Sequence, residues 1–217
     1  VKFSIVMTVY QRVDYLLHAL FTVIAQTYPH WELFILADGP HPDAEYLVQD
    51  YRRAEPRWAD RITYDTIAPR KPQTFGNLVR RAGLERATGH YTVFLGHDCL
   101  LLPNYLTAHV ENIEAVLPKP IVSSVEVACW CRRPSVVDPA AHPLPVYVGV
   151  LPRMDLDRAM PGDLDLTGLA FPTKIAQDVG VFGPAMQFEY CGDFRSYQVM
   201  MPHVGYRQRA GVVAGHF

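Results

Sequence analysis

The sequence predicts an α/β protein with a mostly parallel central sheet and helices on both faces. Three observations predict it. Apolar runs of strand length alternate with segments whose apolar residues recur at helical spacing. The early strands are each followed at once by a polar or turn-forming interruption. The composition, 217 residues with 49% hydrophobic and 19% charged, is that of a soluble globular chain. Strands joined through helices pair in parallel and take their ligands at their carboxyl ends.

Residues 3–9, F-S-I-V-M-T-V, read as a buried strand. Val13, Leu16, Leu17, Leu20, Phe21 and Ile24 then recur at helical spacing until Pro29 stops them. Glu32 to Ala37 is a second strand ending at D38-G39-P40, and Ala44 to Ala54 a polar helix. Arg61 to Asp65 is a short strand, Phe75 to Ala87 a helix ending near Gly89, and Tyr91 to Leu95 a fourth strand. The interruptions T8-V9-Y10, A37-D38-G39 and G96-H97-D98 therefore converge on one edge of the sheet. Asp98 stands out, because a charge among so many apolar residues needs a compensating partner.

Further on, Tyr105 to Leu117 has helical spacing and Ile121 to Trp130 is a long strand. Arg132 to Pro152 is rich in proline without clear periodicity and reads as a loop, long enough to act as a lid. After L164-D-L-T-G-L-A-F-P come a short helix from Thr173 to Val179, a helix around Asp193 to Met201, and a strand from Tyr206 to Val213.

With 20 basic and 22 acidic side chains the net charge is -2, which gives no general attraction to nucleic acid or an anionic membrane. No apolar run has the length to cross a bilayer. The opening V1-K-F-S-I-V-M-T-V is too short and alternating for a signal peptide, while Val1 in place of Met hints at a trimmed chain. The expected location is the cytoplasm, at most peripheral to a membrane. Cys99, Cys129, Cys131 and Cys191 lack C-x-x-C spacing, so reduced thiols and no structural disulfide are expected. No G-x-G-x-x-G follows any predicted strand, which argues against a dinucleotide-dependent oxidoreductase. T8-V-Y-Q-R-V-D likewise lacks the glycine-rich loop of a sugar-nucleotide pyrophosphorylase.

The run from Ser4 through T8-V-Y, Q26-T27 and A37-D38-G39 resembles the start of family-2 glycosyltransferases with the GT-A (Rossmann-like) fold. R81-A-G-L-E-R-A-T-G-H-Y-T-V-F-L-G-H-D is similar to the family's helix, strand and D-x-D segment. G180-V-F-G-P and C191-G-D-F are similar to its later acceptor-site segment. The resemblance is thinnest over residues 132–163. It implies one domain over residues 1–217, with a nucleotide-sugar-binding half at 1–102 and an acceptor-binding half at 103–217.

The resemblance also implies roles. Asp38 would read the base, with Thr8, Val9 and Tyr10 lining it; the alternative is an Asp that merely forms the D-G-P turn. Arg70 would reach the nucleotide with its forked donors, or stand solvated in a loop. Arg81 occupies a position where the family usually has Asn. Gly96, His97 and Asp98 would line the diphosphate, with Asp98 the ligand to Mg²⁺ or Mn²⁺ that survives from D-x-D. His97 would otherwise be a packing residue. His216 would be a further metal contact, or a frayed terminal residue. Asp193 would be the general base, though an N-cap is the plainer role for an Asp at a helix start.

The implied reaction is inverting transfer of a sugar from a nucleotide diphosphate, UDP favoured, to a carbohydrate or other acceptor hydroxyl. Polysaccharide biosynthesis is the implied setting. Gly96 replaces one expected carboxylate and Gly192 another. A degenerate, non-catalytic nucleotide-sugar binder or assembly partner is therefore the alternative.

Overall fold

The strand β1 (Phe3–Val9) alternates its side chains between two apolar faces, and that alternation organises the molecule. Phe3, Ile5, Met7 and Val9 enter one core, and Val6 enters the other. The computed structural model describes residues 1–11, 13–68, 72–132, 145–151, 165–188 and 192–216.

Around β1 stand β2 (Trp31–Asp38), β3 (Ile62–Ile67) and β4 (Tyr91–Gly96), in the order β3-β2-β1-β4 and all parallel. The helices α1 (Leu16–Ile24), α2 (Pro42–Ala54) and α3 (Asn77–Arg86) cross between them. On one face Leu16, Leu20 and Val23 of α1 enter the core that holds Phe3 and Ile5 of β1 and Leu33 and Ile35 of β2. On the other, Val79 and Leu84 of α3 pack with Val6, Leu36 and Phe94. There α3 approaches so closely that a Cβ at Gly83 would lie 2.3 Å from Val6 Cγ1.

The second half of the chain extends this sheet. Its elements are β5 (Cys99–Leu101), α4 (Tyr105–Glu114), β6 (Ile121–Arg132), β7 (Pro145–Leu151), β8 (Leu169–Pro172), α5 (Thr173–Asp178), α6 (Gly192–Met200) and β9 (Gly205–His216). The nine strands run β3-β2-β1-β4-β8-β6-β9-β5, with β7 on β6. Since β8 is antiparallel to both β4 and β6, and β9 is parallel to β6, six strands share the direction of β1. Among the described residues, the strands β5, β7 and β8 oppose it. Phe94, Phe171 and Phe182 form an aromatic core on the α3 face, with ring centroids 6.1 and 5.0 Å from Phe94.

Two features depart from the sequence reading. The proline-rich segment 132–152 is not wholly a loop: Pro145–Leu151 forms β7, antiparallel to Val127–Arg132 of β6. Its strand-forming core, V146-Y-V-G-V, is flanked by prolines that hide the period. The reading also has no strand directly after Asp98, whereas Cys99–Leu101 forms the antiparallel strand β5, three residues long and below the reach of pattern reading.

The amino ends of the strands are closed by Trp31 and Trp58, stacked 5.5 Å apart, with the Arg61 guanidinium 3.6 Å above Trp31. Arg61 also donates to the Trp31 and Pro29 carbonyls at 3.0 and 2.6 Å. Beside them Glu32 accepts from Lys2, Ser4 and Thr88. Burial pushes the Glu32 carboxyl up, but these donors outweigh it and hold it below the usual glutamate range. The carboxyl ends carry the site.

Candidate active site

Register brings the predicted segments level. Thr8 pairs with Gly96 and Val9 with Ala37, so β1, β2 and β4 end together. The His97 N–H donates to the Thr8 carbonyl at 3.2 Å, carrying the ladder one residue past β4 before the chain turns. Asp98 emerges in that turn, half-buried.

A clasp from α1 fixes the segment beyond the turn. Gln26 donates through Nε2 to the Leu102 carbonyl at 2.8 Å, and its Oε1 accepts from the Leu106 N–H at 3.0 Å. Thr27 adds a backbone N–H to the Pro103 carbonyl at 2.9 Å. The Q-T pair at the end of α1 thereby anchors the segment into which Asp98 leads.

A cavity of about 430 Å³ opens at this edge, bounded by Thr8 at the end of β1 and Tyr10 just beyond it, and by Gly96 at the end of β4 with His97 and Asp98 of the turn that follows. Tyr10 is 40% exposed and forms its rim. His97 is only 6% exposed, with Nδ1 3.2 Å from the Thr8 carbonyl oxygen, so its ring belongs as much to the packing as to the wall. Val9 turns its side chain wholly into the core, and a ligand could meet only its backbone. Asp38 ends β2 one position beyond the Val9–Ala37 pair, one strand away from the cavity, beside Gly39 at φ 90°. Gly39 turns the chain there, after β2. Arg70 lies outside the described residues.

Asp98 occupies space that a larger residue at 96 would need. A Cβ on Gly96 would lie 2.6 Å from Asp98 Oδ1 and 3.1 Å from Cys99 Sγ. The glycine that interrupts the expected D-x-D thus makes room for the remaining carboxylate.

Two charged lining residues escaped the sequence reading. Arg80 comes from α3, its Nη1 donating to the Phe75 carbonyl at 2.8 Å and to Asn77 Oδ1 at 3.1 Å. Its guanidinium stands 5.9 Å from the Phe182 ring centroid. Phe75 and Phe182, which flank it, both have positive φ, 48° and 57°, a strained conformation for non-glycine residues. The helical period could have found Arg80: buried Val79, Gly83 and Leu84 set an inner face that includes position 80 and leaves 81 outside. Arg81 instead pairs with Glu85 on the helix surface at 2.8 Å.

Asp165 is the second. It precedes a 3₁₀ turn at Leu166–Gly168 and accepts from the Thr167 N–H at 2.8 Å. Nothing local in the sequence marks it. Burial, then the Asp165 charge, and more weakly that of Asp98, push the Cys99 thiol far above its ordinary range. Cys99 is a protonated packing residue under two carboxylates.

Asp193 is the second residue of α6, and its side chain lies outside the described part of the structure. The start of α6 packs against α3. A Cβ at Gly192 would lie 2.6 Å from Asn77 Oδ1, the same oxygen that accepts from Arg80. Asn77 also donates to the Met186 carbonyl at 3.0 Å. A glutamate at 192 would displace this buried amide, which accounts for the glycine. His216, whose side chain is likewise outside the described part, closes β9 opposite Cys99 and so lies beside the Asp98 turn.

Hard carboxylates suit Mg²⁺ or Mn²⁺, and such ions need few protein oxygens where phosphates and waters complete the shell. The donor set here fits that pattern. Among the described residues, no group of three His, Cys, Asp or Glu side chains forms a cage by itself.

A carboxylate delivered by β4 and a guanidinium delivered by α3, facing one cleft at the strand ends, define an α/β protein of the ligand-at-the-carboxyl-edge class. Residues 4–130 match the family described as Glycosyl transferase family 2, and the chain belongs to that family. Protein CgeD of Bacillus subtilis is 34% identical over 116 residues, 51% of this chain and 26% of that protein. An uncharacterized glycosyltransferase of Rickettsia bellii is 26% identical over 113 residues, 52% of this chain and 15% of its own length. The putative teichuronic acid biosynthesis glycosyltransferase TuaG of B. subtilis is 27% identical over 95 residues, covering 44% of this chain and 35% of that protein. The chain thus spans about a third or less of the length of these relatives.

Among solved structures, S. aureus TarS 1–349 in complex with UDP superposes with a TM-score of 0.73 at 13% identity, covering 99% of this chain and 60% of that one. The mannosyltransferase PcManGT from Pyrobaculum calidifontis, in complex with GDP-Man and Mn²⁺, gives 0.69 at 14% identity, covering 99% and 56%. The fold is GT-A.

Proposed function

We propose that this chain transfers a sugar from a nucleotide diphosphate to an acceptor hydroxyl, with inversion at the anomeric carbon. The observation that carries it is the cleft at the carboxyl edge, with Asp98 from the sheet and Arg80 from α3 on its walls, in a chain of glycosyl transferase family 2. Thr8, Tyr10 and Asp38 would hold the nucleoside, joined by Val9 through its backbone and by Arg70. Gly96 and His97 would border the diphosphate, and Arg80 would offer it a forked donor. UDP is the favoured donor nucleotide, supported by the UDP in the TarS complex; the GDP-Man in PcManGT keeps guanosine as the competitor.

Asp98 and His216 would hold a divalent cation, Mn²⁺ or Mg²⁺. When bound, it would neutralise charge on the departing diphosphate. Asp193 would accept the acceptor's proton as the acceptor oxygen attacks the anomeric carbon. The bond from that carbon to the diphosphate oxygen breaks, and the oxygen keeps the electron pair. Contact of Gly192 with Asn77, which also holds Arg80, supports a location for Asp193 near the cleft. The likeness to TuaG, a putative teichuronic acid biosynthesis glycosyltransferase, supports a carbohydrate acceptor.

Thermal-shift titration with UDP-, GDP- and dTDP-sugars, with and without Mn²⁺, followed by transfer assays, tests the proposal. Stabilisation by one nucleotide sugar with Mn²⁺ and turnover of it are expected. Asp193→Asn should lose turnover at least a hundredfold and keep nucleotide binding. A variant as active as the wild type would remove Asp193 from the mechanism, and binding without hydrolysis or transfer would mark a non-catalytic binder.

A further inference from the structure

Gly96 removes a carboxylate from the D-x-D position, and the fold brings another to the same cleft. β4 and β8 pair antiparallel, Tyr91 opposite Pro172, Thr92 opposite Phe171 and Val93 opposite Ala170. The segments just beyond this pairing, after β4 and before β8, carry Asp98 and Asp165, and both residues line the cavity at that level of the sheet. A 3₁₀ turn at Leu166–Gly168 interrupts the ladder, and its contacts hold Asp165 near this level. Thr167 donates through Oγ1 to Cys99 Sγ at 3.4 Å, and its carbonyl accepts from Tyr105 Oη at 2.6 Å. The turn is thereby fastened to the residue that follows Asp98.

We propose that Asp165 is a second protein carboxylate of the divalent-cation site, replacing across the sheet the one that Gly96 lacks. The inference rests on the metal-dependent reading of the cleft given above. Asp98 lies in the space beside residue 96, so a carboxylate at 96 would compete with it for room, whereas Asp165 lines the cavity from the segment before β8. Two carboxylates on one cation, with diphosphate oxygens and water completing its shell, is a common arrangement for Mg²⁺ and Mn²⁺. Asp165 also caps its turn by accepting from Thr167 N, a role that Asn or Ser can keep without the charge.

The test is Mn²⁺ binding followed by the electron paramagnetic resonance signal of the free ion, with saturating UDP and in parallel GDP. It uses the wild-type chain, Asp165→Asn, Asp165→Ser and Asp98→Asn. UDP and GDP affinities are measured separately in EDTA. We expect both Asp165 variants to bind Mn²⁺ at least tenfold more weakly, with metal-free nucleotide affinity within twofold of wild type, and Asp98→Asn to lose the ion. Wild-type Mn²⁺ affinity in the Asp165 variants, alongside its loss in Asp98→Asn, would overturn the inference and leave the metal-dependent reading standing. Equal loss of metal and metal-free nucleotide binding would also overturn it, since that is the mark of a structural cap. A wild-type chain that binds nucleotide but no Mn²⁺ would sink the metal-dependent reading, and this inference with it.

Discussion

Arg80 is held in place before any ligand arrives. The Phe75 carbonyl, Asn77 Oδ1 and the Phe182 ring orient one guanidinium. A lysine ammonium could take over both oxygens that Nη1 holds, but it would have no second nitrogen to turn to a ligand and no planar face for the Phe182 ring. Arg80→Lys should therefore weaken UDP binding about tenfold in calorimetric titration, a loss of one good charge-assisted contact, with little change in melting temperature. Among single residues, Asp98 was legible because a charge in an apolar run demands a partner. Arg80 was within reach of helical periodicity but lay beside the more conspicuous Arg81. Asp165 was not legible, because its significance comes from a register between strands far apart in sequence, and register is a property of the folded sheet.

Elements were legible in proportion to their length and regularity. The parallel core and its three helices follow from apolar period and breaker residues, whereas β5 is too short and β7 too masked by proline to announce itself. The Q-T pair at the end of α1 was read as a family likeness, and the structure supplies its physics. Gln26 joins α1 to the start of α4 through both ends of its amide. Gln26→Ala leaves the buried Leu106 N–H without this acceptor. It should cost about 2 kcal/mol in urea denaturation. Nucleotide affinity should fall with it, since the segment after Asp98 is no longer tied to the helix.

At the scale of the whole molecule, acid sensitivity is built into the core. His109 is fully buried between Tyr105 and Phe3, with Nδ1 2.8 Å from Ser123 Oγ, and burial holds its pKa down at about 3. The unfolded chain protonates this ring near its ordinary value, while the folded chain does not. Stability therefore falls as pH drops below about 6.5 and continues to fall toward the folded value. This residue alone should remove about 2 kcal/mol between pH 7.5 and pH 5. Unfolding free energies measured across that range, for wild type and His109→Gln, should converge toward low pH because the variant lacks this term. Among the described residues no helix is long and apolar enough to cross a membrane.

The six strands that share one direction leave the stacked Trp31, Trp58 and Arg61 at one end of the sheet and the cleft at the other. For anyone diversifying this chain, that separation sorts its positions into two libraries. On the reading proposed above, randomising 10 and 38 would explore what is recognised, and randomising 31, 58 and 61 explores how well the scaffold survives. Gains from the second can be stored to offset losses incurred in the first.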